Sequence, residues 1–198
     1  YHSTKLITTG IVYNTGADTV PASWADLAKP EMANLVVMPS PLYSGAALIH
    51  LATLTGTEGI GWEYYEALAA NNVRPEGGNG GTFKAVAAGE KPYGVLVDFM
   101  AIRAEADGSP VEFIFPQEGV SYVTEPVAIM ADTLQLEAAQ KFVDFLLSES
   151  GQNLVVEMGY MPARDGMSSP EGFPARSEIK LMEFDPAKAL ADAAENKA

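Results

Sequence analysis

The stretch Met38-Pro39-Ser40-Pro41-Leu42-Tyr43-Ser44-Gly45-Ala46-Ala47 connects an apolar, strand-like segment to a helical pattern over residues 46–54. Its two prolines cannot lie inside a helix or a central strand, so they mark the connection itself. Ser44 falls at the position of a helix N-cap, and Gly45 and Ala46 follow it in the first turn. The stretch therefore predicts a strand, a turn and a helix that begins with small residues.

A helix that begins in this way is a candidate anion site. The first backbone N–H groups of a helix have no partner within it, and the helix dipole adds partial positive charge there. Small residues at this end leave those N–H groups open to a ligand. From these residues alone, the simpler interpretation, an ordinary capped helix after a strand, is preferred.

The composition limits the class of protein. The chain has 198 residues and 47% hydrophobic residues, which is enough for the core of one large or two small domains. It carries 26 acidic and 12 scattered basic residues, a formal net charge of −14. This balance argues against a nucleic-acid or anionic-membrane surface, where clustered basic residues are expected. A local nest of N–H groups still allows a small anionic ligand.

Several kinds of site are not predicted. The chain has no cysteine, which excludes disulfides, zinc thiolates and thiol chemistry. His2 and His50 lie far apart and show no metal-ligand spacing, so we predict no metal site and no cofactor. The segment Gly77-Gly78-Asn79-Gly80-Gly81 lacks the lysine and hydroxyl residue of a P-loop and is interpreted as a flexible turn. No apolar run approaches the roughly 20 residues that span a bilayer.

Strands alternate with helices along the chain, which predicts the α/β class. The predicted strands cover residues 6–13, 35–38, 93–99 and 111–115. The predicted helices are a short one over 23–27, one over 46–54, one that starts at 57–59, those over 82–88, 134–148 and 149–157, and a C-terminal helix from Pro186. The helix over 134–148 is strongly amphipathic.

Four segments, in this order, resemble a known family. They are Pro21-Ala22-Ser23-Trp24-Ala25-Asp26-Leu27, the segment 39–45, Val86-Ala87-Ala88-Gly89-Glu90, and Phe145-Leu146-Leu147-Ser148-Glu149-Ser150-Gly151-Gln152. Together they are similar to periplasmic solute-binding proteins of ABC importers. The branch they resemble contains the ferric-ion-binding proteins and their organophosphate and phosphonate relatives.

The resemblance implies a two-lobed, hinge-linked α/β fold with mixed sheets, of which this chain lacks most of the first lobe. Residues 1–4 would form the first crossover between lobes and residues 5–126 the second lobe. Residues 127–176 would return to the first lobe, and residues 177–198 would carry a C-terminal helix back onto the second. A complete member would carry a signal peptide, act as a monomer in the periplasm and deliver its solute to a permease in the inner membrane.

The resemblance also implies a site. In the ferric-binding relatives a serine-glycine-alanine trio at a helix start holds a phosphate, and Ser44, Gly45 and Ala46 match it. The same relatives carry two adjacent tyrosines where this chain reads Val97-Asp98-Phe99-Met100. Phe99 has no oxygen to offer Fe(III), whereas the Asp98 carboxylate suits an ammonium group. The alternative is that Asp98 pairs with Arg103 or caps the following helix.

Three further residues are candidate ligand contacts. Thr4 lies by the first crossover, where a solvated terminus is an equal alternative. Tyr43 either covers the ligand or packs on its own lobe. Glu125 lies near the return crossover and would share an amine with Asp98, unless it serves only as a hinge-strand residue.

These residues predict a binding protein for a small anionic or zwitterionic solute, with 2-aminoethylphosphonate as the best-fitting ligand. A sugar phosphate, or a ferric ion with phosphate, is the alternative ligand. A hydrolytic enzyme that uses Asp98 and Glu125 as an acid–base pair is the alternative of a different class. No enzyme is predicted, because Ser44 has no histidine at a recognisable motif spacing and the Gly-x-Ser-x-Gly motif is absent.

Overall fold

The computed structural model describes residues 1–192, which form two compact units. Unit 1 consists of Tyr1–Ile7 and Val123–Glu178. Unit 2 consists of Thr8–Tyr122 together with, among the described residues, 179–192. The chain therefore passes from one unit to the other three times. Within residues 1–192, every helix is too short or too polar to cross a membrane.

The secondary structure alternates between strands and helices, which confirms the predicted α/β class. The strands are β1 (His2–Ser3), β2 (Lys5–Asn14), β3 (Val36–Val37), β4 (Tyr93–Val97), β5 (Val111–Ile114), β6 (Ser121–Val123), β7 (Pro126–Val127) and β8 (Met161–Pro162). The helices are α1 (Trp24–Leu27), α2 (Gly45–Thr55), α3 (Gly61–Ala70), α4 (Asn79–Ala87), α5 (Asp98–Ala106), α6 (Leu136–Leu147), α7 (Glu149–Glu157) and α8 (Pro186–Ala191). Short 3₁₀ turns cover Pro30–Met32 and Arg176–Glu178.

Unit 2 is built around a sheet in which β3, β4, β2 and β5 are neighbours in that order. Strand β3 is parallel to β4, whereas β2 is antiparallel to both β4 and β5. All five residues of β4 and most of β2 are buried. A strand buried on both faces reads as an apolar run, which is how the sequence predicts β4. Strand β2 is interrupted by Thr8, Thr9 and Gly10, and the sequence predicts it from a weak alternation that ends at a turn.

Alternate residues of the central strands belong to two cores, one on each face of the sheet. The first core joins Ile11, Tyr13, Tyr93 and Val95 to residues of α1, α2 and α3, among them Trp24, Leu54 and Tyr64. The second core joins Val12 and Leu96 to Val86 of α4 and Ala101 of α5. Because successive side chains of a strand point to opposite faces, α1, α2 and α3 cover one face, and α4 and α5 cover the other.

Unit 1 is tied together by the fully buried side chain of Gln152. Its Nε2 donates to the carbonyl oxygens of Thr4 at 2.8 Å and Leu146 at 2.9 Å. Its Oε1 accepts from the backbone N–H groups of Ala163 at 2.8 Å and Arg164 at 3.1 Å. One amide thus joins three distant stretches of chain and satisfies both of its polar atoms.

Helix α6 confirms the amphipathic helix predicted over residues 134–148. Its apolar side chains are nevertheless only partly covered, since Phe142 is 60% exposed and Phe145 is 45% exposed within the described residues. None of the residues of α6 is buried.

Two predicted boundaries are wrong. The strand predicted over 93–99 ends at Val97, because Asp98 begins helix α5, where an acidic residue is favoured by the helix dipole. The helix predicted over 82–88 begins earlier, at Asn79, so part of the glycine-rich segment is helical. The assignment of residues to lobes stays a prediction, and residues 193–198 of its last segment lie outside the described residues.

Candidate functional site

Three helices of unit 2 begin at the same edge of its sheet. Strand β3 leads into α2 and strand β4 leads into α5. A parallel bridge between Met38 and Pro75 places the segment that leads into α4 beside the end of β3. Because parallel strands share their carboxyl edge, the N-termini of all three helices lie there. Since α2 covers one face of the sheet and α4 and α5 the other, this edge is the kind of crevice in which α/β proteins bind ligands.

The start of α2 confirms the predicted cap. Ser44 is the N-cap, and its Oγ accepts from the backbone N–H of Ala47 at 3.2 Å. The N–H groups of Gly45 and Ala46 precede the first possible intrahelical acceptor, so both remain available to a ligand. A Cβ built on Gly45 would meet nothing within 4 Å, which leaves open space in front of this turn.

The start of α4 lies against the start of α2. The Nδ2 of Asn79 donates to the Oγ of Ser44 at 3.0 Å. The backbone N–H of Ser40 donates to the carbonyl oxygen of Gly77 at 2.9 Å, which holds the two preceding loops together. Gly78, the N-cap of α4, has no side chain to occupy the free N–H groups of this helix. We call Ser44, Gly45, Ala46 and Asn79 the α2–α4 seat.

Asn79 was missed by the sequence reasoning. The segment that contains it lacks the lysine and hydroxyl residue of a P-loop, so its sequence predicts only a flexible turn. The usable signal was the glycines on both sides of Asn79, which leave its backbone uncovered: Cβ atoms built on Gly78, Gly80 and Gly81 would meet nothing within 4 Å.

Tyr43 lies at the tip of the loop before α2. Its side chain is 80% exposed, so it does not pack against unit 2. Its backbone N–H donates to the carbonyl oxygen of Ser40 at 3.0 Å, which fixes the turn immediately before Ser44.

Asp98 is buried at the start of α5, with a residue exposure of 1%. Its Oδ2 accepts from the backbone N–H of Thr8 at 2.8 Å and from the Oγ1 of Thr8 at 2.7 Å. Its Oδ1 accepts from the backbone N–H of Phe99 at 2.6 Å. Burial raises the pKa of Asp98 from 3.8 to about 6, although the hydrogen bonds from Thr8 and Phe99 work to lower it.

Thr4 and Glu125 lie in unit 1, where they contact each other through the backbone. The Oγ1 of Thr4 donates to the carbonyl oxygen of Glu125 at 2.6 Å. Glu125 has a φ of 44°, in the left-handed region, and its carboxylate lies 3.8 Å from the Nζ of Lys5. That Nζ also lies 4.2 Å from the ring centroid of Tyr160. The roles of Thr4 and Glu125 toward a ligand stay predictions.

His50 is a core residue. It is 1% exposed, its Nδ1 lies 3.0 Å from the Oγ of Ser121, and its ring centroid lies 4.6 Å from that of Trp24. Burial lowers the pKa of His50 from 6.5 to about 3, so the imidazole is neutral. Among residues 1–192, no three histidines, aspartates or glutamates are grouped so that they would hold a metal ion.

The sequence matches a family of known proteins along almost its whole length. A sequence model of the bacterial extracellular solute-binding proteins matches residues 3–189. The chain belongs to this family. Among the relatives of this solute-binding protein is a Salmonella typhimurium protein provisionally named as periplasmic and 2-aminoethylphosphonate-binding. The two are 26% identical over 79% of this chain and 50% of the relative. The chain spans about half the length of the curated relatives it matches.

Solved structures show the same fold. The periplasmic binding protein AfuA from Actinobacillus pleuropneumoniae, solved with fructose-6-phosphate, superposes with a TM-score of 0.84. It is 22% identical, over 98% of this chain and 65% of AfuA. Iron-bound HitA from Pseudomonas aeruginosa superposes with a TM-score of 0.78 and 20% identity, over 99% of this chain and 69% of HitA. The predicted family and the predicted periplasmic-binding-protein fold are therefore confirmed.

Proposed function

We propose that this chain is the solute-capturing component of an ABC importer and that the α2–α4 seat binds the phosphoryl or phosphonyl group of a small solute. The observation that carries the proposal is the hydrogen bond from Asn79 to Ser44, which holds two helix N-termini together. Each N-terminus offers unpaired N–H groups and partial positive charge, so the two together favour an anion more than either alone.

The hydrogen bonds of Ser44 direct its hydroxyl proton toward such an anion. Its Oγ already accepts from the N–H of Ala47 and from the Nδ2 of Asn79. A hydroxyl oxygen has two acceptor positions and one proton, so the proton is left to donate to a ligand. The seat thus offers hydroxyl, amide and backbone donors to the three oxygens of a phosphonyl group. Such a local donor set works within a chain whose net charge is −14.

The best-fitting ligand is 2-aminoethylphosphonate. Its phosphonyl group suits the α2–α4 seat, and the Salmonella relative carries this ligand in its name. Asp98 and Glu125 stay the proposed partners of its ammonium group. Because the carboxylate of Asp98 is buried and already accepts three hydrogen bonds, the seat carries the proposal and Asp98 does not.

A sugar phosphate and a ferric ion with phosphate are the other candidate ligands, because AfuA was solved with the first and HitA with iron. A sugar phosphate would use the same seat. Tight Fe(III) binding needs several hard oxygen ligands, and Phe99 offers none where the ferric-binding relatives have a tyrosine. Tyr43 and Tyr122 would then have to supply the phenolate oxygens.

We further propose that the protein acts as a monomer in the periplasm, delivers its solute to an inner-membrane permease, and makes or breaks no covalent bond. An acid–base pair of Asp98 and Glu125 is disfavoured by their contacts, since Asp98 accepts from Thr8 and Glu125 faces Lys5. Conversion of any bound solute to product would overturn the assignment as a binding protein.

Calorimetric titration of the chain tests the proposal. The solutes are 2-aminoethylphosphonate, glucose-6-phosphate, inorganic phosphate and ferric citrate. We expect stoichiometric binding of 2-aminoethylphosphonate. Preference for the sugar phosphate would support the proposed anion seat and contradict the proposed ammonium-binding role of Asp98 and Glu125. A visible charge-transfer colour with ferric citrate would favour the iron alternative. Failure of every phosphoryl and phosphonyl compound to bind would overturn the proposed seat.

An Asn79→Asp variant sharpens the test. The change is nearly isosteric, and an acid in the first turn of α4 suits the helix dipole, so the fold should be kept. The new carboxylate would repel the anion, and we expect binding to weaken at least about tenfold. Asn153→Asp, at an exposed position of α7 in unit 1, adds the same charge away from the seat and should bind as the parent does.

A further inference from the structure

Helices α4 and α5 enclose a groove of about 220 Å³ on the face of unit 2 that they cover. Phe83, Phe99 and Met100 supply its apolar lining, and Arg103, Ala104 and Asp107 complete it. The three apolar side chains are only half-buried. The groove therefore presents apolar surface to solvent beside a strongly polar edge of the sheet.

One residue of the groove, Phe83, shares helix α4 with Asn79 of the α2–α4 seat. Phe83 follows Asn79 by four residues in α4, so the two lie on the same face of the helix, about one turn apart. Phe99 is the second residue of α5, whose N-terminus lies at the same sheet edge as those of α2 and α4. A molecule whose anionic end is held by Asn79 can therefore reach Phe83 and Phe99 with its next few atoms.

We propose that this groove holds the carbon part of the solute, an inference that rests on the proposed anion seat. It defines the solute class as phosphonates or phosphate esters whose carbon part is apolar where it leaves the phosphorus. A short alkyl chain or a single aromatic ring fits, since a cavity of about 150 Å³ is enough for benzene. The two methylenes of 2-aminoethylphosphonate are a small member of this class. A hydroxyl group next to the rings of Phe83 and Phe99 would find no hydrogen-bond partner there, so the carbon part must be apolar at that point, whereas Arg103 and Asp107 line the part of the groove farther along α5.

The chemistry of the lining supports this class. Covering apolar surface with an apolar group removes both from water, and the gain grows with the area covered. Inorganic phosphate and methylphosphonate would fill the seat and leave the groove empty. Phenylphosphonate would fill both, so the difference in affinity between phenylphosphonate and methylphosphonate measures the contribution of the groove alone.

Phenylphosphonate and methylphosphonate are the probes for the test, because they share the phosphonyl group. Calorimetric titration of the parent chain should show phenylphosphonate binding at least about tenfold more tightly. In Phe83→Ala that preference should fall to less than about threefold, while methylphosphonate binds as before. Phe173→Ala removes a half-buried ring from unit 1 and should keep the full preference.

Binding of methylphosphonate also shows that each variant is folded, and Phe83→Leu is a second variant that keeps an apolar side chain in the core. In Phe83→Leu we expect a smaller preference for phenylphosphonate than in the parent. Equal affinity of the parent for both probes, or a preference unchanged in Phe83→Ala, would overturn the proposed role of the groove. Neither result would contradict the proposed anion seat. Failure of both probes to bind would overturn the seat and, with it, this inference.

Discussion

Both hydrogen-bond donors of Thr8, its backbone N–H and its hydroxyl, are directed at the same oxygen of Asp98, at 2.8 and 2.7 Å. Thr8 is the residue at which strand β2 enters unit 2, and Asp98 is the first residue of α5. Both residues are 1% exposed. The pair therefore fixes the point where β2 enters unit 2 to the start of α5, in a place that water does not reach.

We expect Thr8→Val to destabilise the protein. The substitution keeps the shape of the side chain but removes one of the donors to a buried carboxylate. Loss of such a bond should lower the free energy of unfolding by about 1–3 kcal/mol. Urea unfolding followed by circular dichroism measures the change. Thr8→Ser keeps the hydroxyl and should lose less, and equal losses in the two variants would show that the hydroxyl is unimportant.

The buried side chains of Asp98 and His50 should make the stability of the protein depend on pH in opposite directions. Asp98 has a pKa of about 6 in the folded state and 3.8 otherwise, so its contribution to stability is present below pH 4 and lost as the pH rises to about 6. His50 has a pKa of about 3 in the folded state and 6.5 otherwise, so its contribution is present above pH 6.5 and lost as the pH falls. Between pH 4 and 6 the two effects oppose each other.

In an Asp98→Asn variant, the pH dependence of stability that arises from His50 should no longer be opposed by Asp98. Acidification from pH 6 to 4 should destabilise this variant more than the parent, by up to about 1.4 kcal/mol per pH unit. Urea unfolding at a series of pH values measures the difference between the two proteins. Parallel stability profiles over this range would contradict the raised pKa of Asp98.

Gly45→Asp should weaken solute binding without harming the fold. A Cβ at this position meets nothing within 4 Å, and an acid in the first turn of α2 suits the helix dipole. The same carboxylate would occupy the α2–α4 seat and repel an anionic ligand, so we expect the affinity for 2-aminoethylphosphonate to fall at least about tenfold. Calorimetry and thermal unfolding together separate the two effects. Ala138→Asp, in the exposed first turn of α6, is the charge-matched control and should bind normally.

We expect Gly10→Ala to destabilise unit 2. A Cβ on Gly10, in the central strand β2, would lie 2.5 Å from Cζ of Phe113 and 2.6 Å from the backbone oxygen of Ile114. The ring can shift, but the backbone of β5 cannot move without breaking its pairing, so we expect a loss of about 1–3 kcal/mol. In contrast, Gly80→Ala meets open space in α4 and should be neutral or slightly stabilising. Denaturant unfolding of both variants provides the comparison.

The sequence could predict features that depend on neighbouring residues. The cap of α2 is one such feature, because the bond from Ala47 to Ser44 spans three residues and follows from residue type and spacing. Strand β4 is predictable for the same reason, as an apolar run, and β2 as a weakly alternating segment that ends at the turn after Asn14.

Features that depend on distant residues could not be predicted. Asn79 joins the α2–α4 seat only because a parallel bridge at Pro75 brings it to Ser44, 35 residues earlier in the chain. The carboxylate of Asp98 finds its hydrogen-bond donors on Thr8, 90 residues away. Sequence patterns identify which residues carry useful chemistry, but tertiary pairing determines which of them meet.

The hydrogen bonds of Gln152 have a consequence for how the protein folds during its synthesis. Its amide reaches back 148 residues to Thr4 and forward to Ala163 and Arg164, so unit 1 cannot close until all of these have been synthesised. Strand β1, next to Thr4, is thus synthesised long before β7, the strand with which it pairs. In the interval its unpaired edge is open to other nascent chains, and a chaperone that shields it would protect the yield of native protein.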